Sequence, residues 1–439
     1  MNSYQRRGKP GHLSRFDRVG DKVGCPHAGS LIRIPVLFLF VQPVAAPLPL
    51  PPEQPASSVP APSGDNRSPY VGASTCGNCH QSIHESFRQT THYLTSQLPR
   101  ANSILGSFEP AQALLRTGNP HLWFEMRASE DGFFQTAWSR EQGRIVPRTE
   151  RMDIVVGSGK MGQTYLYWRG SKLFQLPVSY FTEAKRWINS PGYPDGQAYF
   201  DRAVNPRCLE CHATFFEVDS KEDPMRPYLS NVYSRNNYSL GVTCERCHGP
   251  GGLHSKNPPE RSGSGATGDI VHPGKLEREL QMTLCAQCHS GHLVPRNGPF
   301  SFRPGQGPEA FIAVESLRAR NSGGVHTTNQ PDRLRRSRCF QESGSLTCNS
   351  CHDPHHLERA NLQLFSRRCM TCHEPQVCGM AATLGDAIEG NCIDCHMPVQ
   401  RDLGTPMATA SGFEAPRMRD HKIAVYSAVA KRLLKQFQQ

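Results

Sequence analysis

Seven times the chain spells Cys-x-x-Cys-His: Cys76/Cys79/His80, Cys208/Cys211/His212, Cys244/Cys247/His248, Cys285/Cys288/His289, Cys348/Cys351/His352, Cys369/Cys372/His373 and Cys392/Cys395/His396. With 17 Cys and 19 His in 439 residues, chance would supply about 0.03 such units, so the repeat is not an accident of composition. Thiols two residues apart share one edge of a helical turn and can add to both vinyl groups of one porphyrin. The next side chain, an imidazole, turns back over the ring and ligates the iron. This is the pattern of covalently attached haem c. Zinc takes four ligands and pairs C-x-x-C units in twos, which seven units suit poorly. Neither zinc nor a disulfide framework explains a histidine after every second cysteine. The expectation is seven haems c, held by those fourteen cysteines, with His80, His212, His248, His289, His352, His373 and His396 as proximal ligands.

The second axial position decides between relay and chemistry. Twelve histidines lie outside the motifs, and two of them, His12 and His27, fall in the N-terminal segment. Ten remain for seven irons. His92 is the second histidine after the first motif, with His84 before it, while His272, His292 and His326 sit in loops between motifs. His121 opens a strand in the stretch without motifs. Met397 directly follows a proximal histidine and cannot reach that same iron. If seven histidines are used, every iron is six-coordinate and the protein relays electrons. If one iron stays open, it can bind a small nitrogen or oxygen species. No motif carries Lys in place of its proximal His. Three cysteines are left over: Cys25, expected to leave with the export segment, and Cys339 and Cys378, to form a disulfide or to stay as two separate buried thiols. The group Arg318, Arg320, Arg333, Arg335, Arg336 and Arg338 suits the pairing of haem propionates, or an anion entry.

Positioning these residues is the work of short elements. Residues 1–46 combine a basic stretch with an apolar run from Leu31 and a small-residue site at Val44-Ala45-Ala46, the pattern of an export signal. Residues 47–69 contain eight prolines and read as a linker. A first haem-binding segment follows over 70–92. Residues 93–205 contain no cysteine but all four tryptophans, Trp123, Trp138, Trp168 and Trp187. Alternating runs there predict a hairpin around Glu130-Asp131-Gly132 and strands over Arg151–Val156, Gln163–Trp168 and Lys172–Leu176. The run Gly157–Gly162 lacks the order of a phosphate loop and reads as a strand turn. Residues 206–425 hold the other six motifs, with helices expected at Pro273–His289 and Gly379–His396, and 426–439 read as a C-terminal amphipathic helix. The expected fold class is mostly α and loop, low in regular secondary structure, with a small inserted β-rich domain.

A formal charge of +11 invites a nucleic-acid reading, which the motifs undo. Residues 1–46 carry five of those eleven charges. Each haem adds about −1 when ferric and −2 when ferrous, so seven leave the mature protein at about −1 to −8.

Five local patterns add a resemblance: Val71-Gly-Ala-Ser-Thr-Cys76, Cys247-His248-Gly-Pro-Gly-Gly-Leu-His254, Cys351-His352-Asp-Pro-His355, Cys395-His396-Met-Pro398 and Asp420-His421. They resemble the multihaem cytochromes related to the tetrahaem electron acceptor of hydroxylamine oxidoreductase, over roughly residues 70–425. Seven motifs against four, and the β-rich insert, depart from that pattern. The resemblance implies His254, His355 and His421 as distal ligands, with His356 as the neighbour that could replace His355. The expected function is an exported, periplasmic seven-haem cytochrome transferring electrons through closely spaced bis-histidine haems. One alternative is an oxidoreductase acting on a compound of the hydroxylamine or nitrite type at one open haem. Another is a haem subunit of a larger respiratory complex. The expected partners are redox proteins; nucleic acid is not among them, and membrane association comes only through partners.

Overall fold

The computed structural model describes residues 69–221, 225–256, 270–290, 296–310, 325 and 329–437. The export segment, the linker up to residue 68, His292, His326, Arg318 and Arg320 lie outside the described residues.

Strict alternation builds the first sheet. Along strand Leu122–Ser129 the residues Leu122, Phe124 and Met126 are buried while Trp123 and Glu125 between them are half-buried, as a pleated strand with one covered face requires. It pairs with Gly132–Glu141 through the two-residue loop Glu130-Asp131, and Gly132 takes φ 131°, a conformation that side chains disfavour. Leu114–Arg116 and Arg144–Arg151 complete four antiparallel strands in sequence order around this hairpin. Trp123 and Trp138 are direct cross-strand partners, with ring centroids 6.4 Å apart at 15°. A second, seven-stranded sheet runs through Ser96–Gln97, Ile154–Val156, Gly162–Arg169, Lys172–Gln175 and Arg202–Ala203, with Val178–Phe181 branching from Gly162–Arg169 and pairing in turn with Arg186–Asn189. Between the sheets lie Phe124, Met126, Val155, Tyr165, Tyr167, Leu176, Trp187 and Phe200. Full burial of such side chains contributes roughly 1.5–3 kcal/mol each. The stretch from Gly157 to Gly162 is a strand turn, with a Cβ on Gly157 falling 2.5 Å from the Gly162 carbonyl oxygen.

The expectation of a mostly α and loop chain is overturned. Among the described residues, seventeen strands form five sheets, and three strand pairs lie beyond residue 205. Ala213–Val218 pairs with Tyr233–Leu240, Val399–Arg401 with Arg417–Arg419, and Met407–Thr409 with Gly412–Glu414. The first pair is held by Phe216 stacked on Tyr238, 4.9 Å between centroids, a cross-strand contact that short aromatic runs make well. Helices are correspondingly brief. Arg278–His289 has 12 residues and Ser427–Phe437 has 11, while those at the motifs have as few as four. Pro273–His289 is a 3₁₀ turn, a break with Leu276 extended, and then a helix. Gly379–His396 splits into Ala381–Leu384, Ala387–Gly390 and Ile393–His396, the first stopped by Gly385 at φ 52°.

The strand-rich part shares its core with the second motif. Ile154, Leu166 and Leu173 cluster with Leu209, Phe215, Phe216, Tyr233 and Phe300, and with Tyr70 from the start of the described chain. Residues 399–419 form a two-step ribbon that also returns to this part. Met407 packs on Phe181 and Ile188, Asn189 Nδ2 donates to the Ala408 carbonyl at 2.9 Å, and ion pairs Arg186–Glu414 and Arg417–Glu183 flank the contact.

Candidate haem motifs and their axial histidine pairs

In all seven motifs the backbone closes one helical turn from the first cysteine to the histidine, Cys208–His212 and Cys285–His289 lying inside longer helices. His80 N–H donates to Cys76 O at 2.9 Å, His352 to Cys348 at 2.9 Å, His373 to Cys369 at 3.0 Å and His396 to Cys392 at 3.1 Å; Cys244–His248 is one short helix. Such a turn sets the imidazole one rise beyond the first sulfur, on the same side.

The fourteen attachment cysteines are not equally enclosed. Cys79, Cys208 and Cys372 are exposed, whereas the other eleven are half-buried. Cys79 is one of the three exposed ones. It keeps its place on the turn, its N–H donating to Cys76 O at 3.2 Å, but it falls in the exposed stretch 78–83.

Four proximal imidazoles each face a second imidazole. The ring centroids of His80 and His254 are 6.5 Å apart at 14°, those of His248 and His355 6.0 Å at 24°, those of His352 and His421 6.1 Å at 28°, and those of His92 and His289 6.2 Å at 76°. Two imidazoles on one iron, with metal–nitrogen bonds of about 2.0–2.1 Å and about 1.1 Å from nitrogen to ring centre, would stand about 6.3 Å apart. The four pairs have that span, so the residues fit an iron held on both sides. Among the described residues no three His, Cys, Asp or Glu side chains converge as a zinc cluster would need.

Protonation and tautomer agree with ligation. Burial pushes His92, His212 and His421 down to about 4 and lowers His248 and His352, so these rings are neutral at pH 7 and keep a lone pair. Nδ1–H of His248 donates to Val271 O at 2.8 Å, that of His396 to Ala424 O at 3.0 Å and that of His421 to Arg419 O at 3.3 Å. Since a carbonyl only accepts, the free lone pair in each is on Nε2. His254 Nδ1 is buried without a hydrogen-bond partner in the protein. The Asp353 carboxylate lies beside both neighbours that sequence left open, 2.7 Å from His356 Nδ1 and 3.4 Å from His355 Nδ1, and the direction each ring faces separates them. The carboxylate also accepts the His355 N–H at 2.9 Å and holds the exposed His356 ring through Nδ1, while the His355 ring faces His248.

Other candidates stand elsewhere. His212 lies against the edge of the seven-stranded sheet, its Nδ1 3.0 Å from Thr95 Oγ1, with Ser96 Oγ donating to its carbonyl at 2.6 Å. Among the described residues no second imidazole stacks opposite His212, His373 or His396. His84 is buried against the first motif, where a Cβ on Gly77 would fall 2.6 Å from its Nδ1. His121 and His272 are exposed. The pairing of Cys339 with Cys378 is not made: both are free thiols, Cys339 beside Cys351 and Cys372, Cys378 beside Cys392 and Cys395. Arg333, expected to serve an anion, is instead committed to Asp420, and Arg335 pairs with Glu279 at 2.6 Å.

Thiol contacts order the motifs in space. Cys76, and not the exposed Cys79, meets Cys244; Cys211 meets Cys288, and Cys285 meets Cys348. Cys247 lies near Cys285, Cys369 near Cys351, and Cys392 near Cys369. The first motif thus neighbours the third, then come the fourth, fifth, sixth and seventh, with the second branching from the fourth.

The residues between the cysteines hold this order, a role that sequence reading missed. Glu245, inside the third motif, accepts N–H bonds from Val71 at 2.8 Å, Gly72 at 2.9 Å and Gly251 at 2.9 Å, tying the approach to the first motif onto the third. Glu210, inside the second, is fully buried and accepts from Phe300 N at 2.7 Å, Tyr228 OH at 3.1 Å and Arg207 at 3.2 Å. Arg246 donates to the Glu210 carbonyl at 2.9 Å, and Arg207 to the Gln287 carbonyl of the fourth motif at 2.5 Å. The available signal was a charged residue where a variable position was expected.

Comparison with known proteins points the same way. Residues 165–249 match the family model described as cytochrome c554 and c-prime. The chain is 25% identical to the multiheme cytochrome MtrA of Shewanella baltica over 38% of its own length and 51% of MtrA. It is 25% identical to the C-type polyheme cytochrome OmcC of Geobacter sulfurreducens over 38% of its length and 20% of OmcC. With the dissimilatory sulfite reductase MccA of Wolinella succinogenes it shares 22% over 75% of its length and 50% of MccA. The chain therefore spans about half or less of each of these relatives. On its motifs and on these matches, the chain groups with the multihaem c-type cytochromes.

Proposed function

We propose that the protein is an exported seven-haem c-type cytochrome that relays electrons between redox partners through bis-histidine irons. The observation that carries this is the set of four imidazole pairs at 6.0–6.5 Å. Each binds one motif to a segment distant in sequence, and several lie close enough for their thiols to touch. Haem c, when bound, supplies reversible one-electron exchange, and histidine on both faces favours a lower potential than a His/Met pair. The chain's part is to fix both imidazoles and pack successive motifs against each other. Export follows from the attachment chemistry, which takes place outside the cytoplasm. Among the described residues no helix is long and apolar enough to cross a membrane.

A second reading is favoured by the match to MccA across 75% of the chain. In it, one iron keeps an open face and reduces a small nitrogen or sulfur oxyanion. Mass spectrometry of the mature protein tests the haem count, with seven expected. Electron paramagnetic resonance and carbon monoxide titration test the ligation. Only low-spin ferric signals and no carbon monoxide adduct support the relay; a high-spin signal with an adduct overturns it in favour of the second reading.

A further inference from the structure

The four imidazole pairs do not hold themselves, and one has a brace that reaches it from a separate pair of helices. His421 follows Asp420 at the end of the 399–419 ribbon. Asp420 is buried and its carboxylate is taken in a two-point clasp by Arg333, Nε to Oδ1 and Nη2 to Oδ2, with side chains 9% and 1% exposed. The remaining lone pairs of that carboxylate accept from Lys422 N at 2.8 Å, Gln400 Nε2 at 3.0 Å and Tyr426 OH at 3.2 Å. Beyond the histidine, Ser337 closes the other side. Its hydroxyl donates to the His421 carbonyl at 3.1 Å and accepts the Ile423 N–H at 2.8 Å.

Arg333 and Ser337 belong to one short unit, the helices Gln330–Leu334 and Arg338–Glu342. That unit packs through Leu334 and Phe340 on Met282 of the helix leading to the fourth motif, with Cys348 of the fifth motif and Ile423 against the same cluster. The residue before His421, its own carbonyl and the amide two residues on are thus fixed to the body that also carries His352. A bidentate guanidinium–carboxylate pair sets orientation as well as distance, and a ligand's outer partners tune the metal through such orientation.

We propose that Arg333 and Ser337 are positioning residues that set the angle and strength of His421 as axial ligand opposite His352. This rests on the reading of His352 and His421 as one iron's ligands.

The experiment uses the full holoprotein, with haem content measured for every variant. His421→Ala comes first: one low-spin ferric component should disappear, with a high-spin signal and carbon monoxide binding in its place. If the spectrum keeps all its low-spin components, the ligand assignment itself falls. Given that loss, Ser337→Ala and Arg333→Gln should shift the potential and line shape of that same component and leave the others unmoved. Arg333→Lys, which keeps the charge without the fork, should give an intermediate shift. If the component keeps its wild-type potential and line shape in Ser337→Ala and Arg333→Lys, the positioning role is refuted while the ligand assignment stands. Should Arg333→Gln lose haem generally, Ser337→Ala decides, since it leaves no buried charge behind.

Discussion

Glu245 offers the sharpest test of how the motifs are held together. Its Oε1 accepts N–H groups from Val71 and Gly251, and its Oε2 accepts that of Gly72. Replacing it with alanine leaves three backbone N–H groups without this acceptor. A buried donor left unsatisfied costs roughly 1–3 kcal/mol; the Gly251 N–H is buried, those of Val71 and Gly72 are only partly so, and alanine also removes a buried carboxylate, so Glu245→Ala should lose about 2–4 kcal/mol. Glutamine is the informative contrast. Its carbonyl oxygen can keep the two bonds made by Oε1, but its amide nitrogen would meet the Gly72 N–H as donor against donor. Glu245→Gln should therefore cost about one unsatisfied donor, roughly 1–3 kcal/mol, less the relief of no longer burying a charge, since burial pushes the Glu245 carboxyl up. Urea unfolding followed by far-ultraviolet circular dichroism measures both. Haem load at the first motif, read by peptide mass spectrometry, should fall in the alanine variant before it falls at the fifth. Equal losses in the two variants, or a loss below about 1 kcal/mol for alanine, would refute the reasoning.

Three further outcomes are expected. His355→Ala should remove one low-spin ferric component whereas His356→Ala leaves the spectrum intact, because only the His355 ring faces His248. Gly77→Ala should hinder haem attachment at the first motif, since its Cβ would fall 2.6 Å from the His84 ring; overpacking of this kind costs about 1–3 kcal/mol, and a thermal melt with site-resolved haem mapping reads it. Burial raises the Asp153 carboxyl, so the folded chain holds that proton more tightly than the unfolded one. Its contribution is full below about pH 4 and declines as pH rises through the folded value, and Asp153→Asn should flatten that part of the stability–pH curve.

The seven Cys-x-x-Cys-His motifs were legible in sequence because they are fixed residue types at fixed spacing. Spacing says nothing of enclosure, however, so the exposure of Cys79 beside a half-buried Cys76 came only with the fold. The facing histidines are another matter: His254 lies 174 residues from His80 and His355 lies 107 from His248, so only the fold brings them together. A resemblance indicated three of the four and position indicated His92, while the partner of each remained open. The hairpin at Glu130–Gly132 was readable from its alternation and its turn. Strands such as Ala213–Val218 were not, because they begin directly after a motif histidine and their aromatic run is too short to show a period. The broken helix at Gly379–His396 had the apolar spacing of one helix, and its glycines outweighed that spacing. Glu210 and Glu245 lay where a motif tolerates any residue, so their charge was the one local signal and it named no partner.

The ribbon at 399–419 makes the strand-rich part impossible to remove as a cassette. Its tip inserts Met407 beside Phe181 and Ile188, and its root carries Asp420 and His421. At the opposite margin, Thr95 and Ser96 fasten His212. Excising residues 93–205 would strip Thr95 and Ser96 from His212 and the packing from the ribbon tip at once, and a partner lost by such a truncation would say nothing about where it docked. Any role of this part in recognition has to be probed by point changes on its outer surface, around Trp123 and Trp138, that leave both anchor points in place.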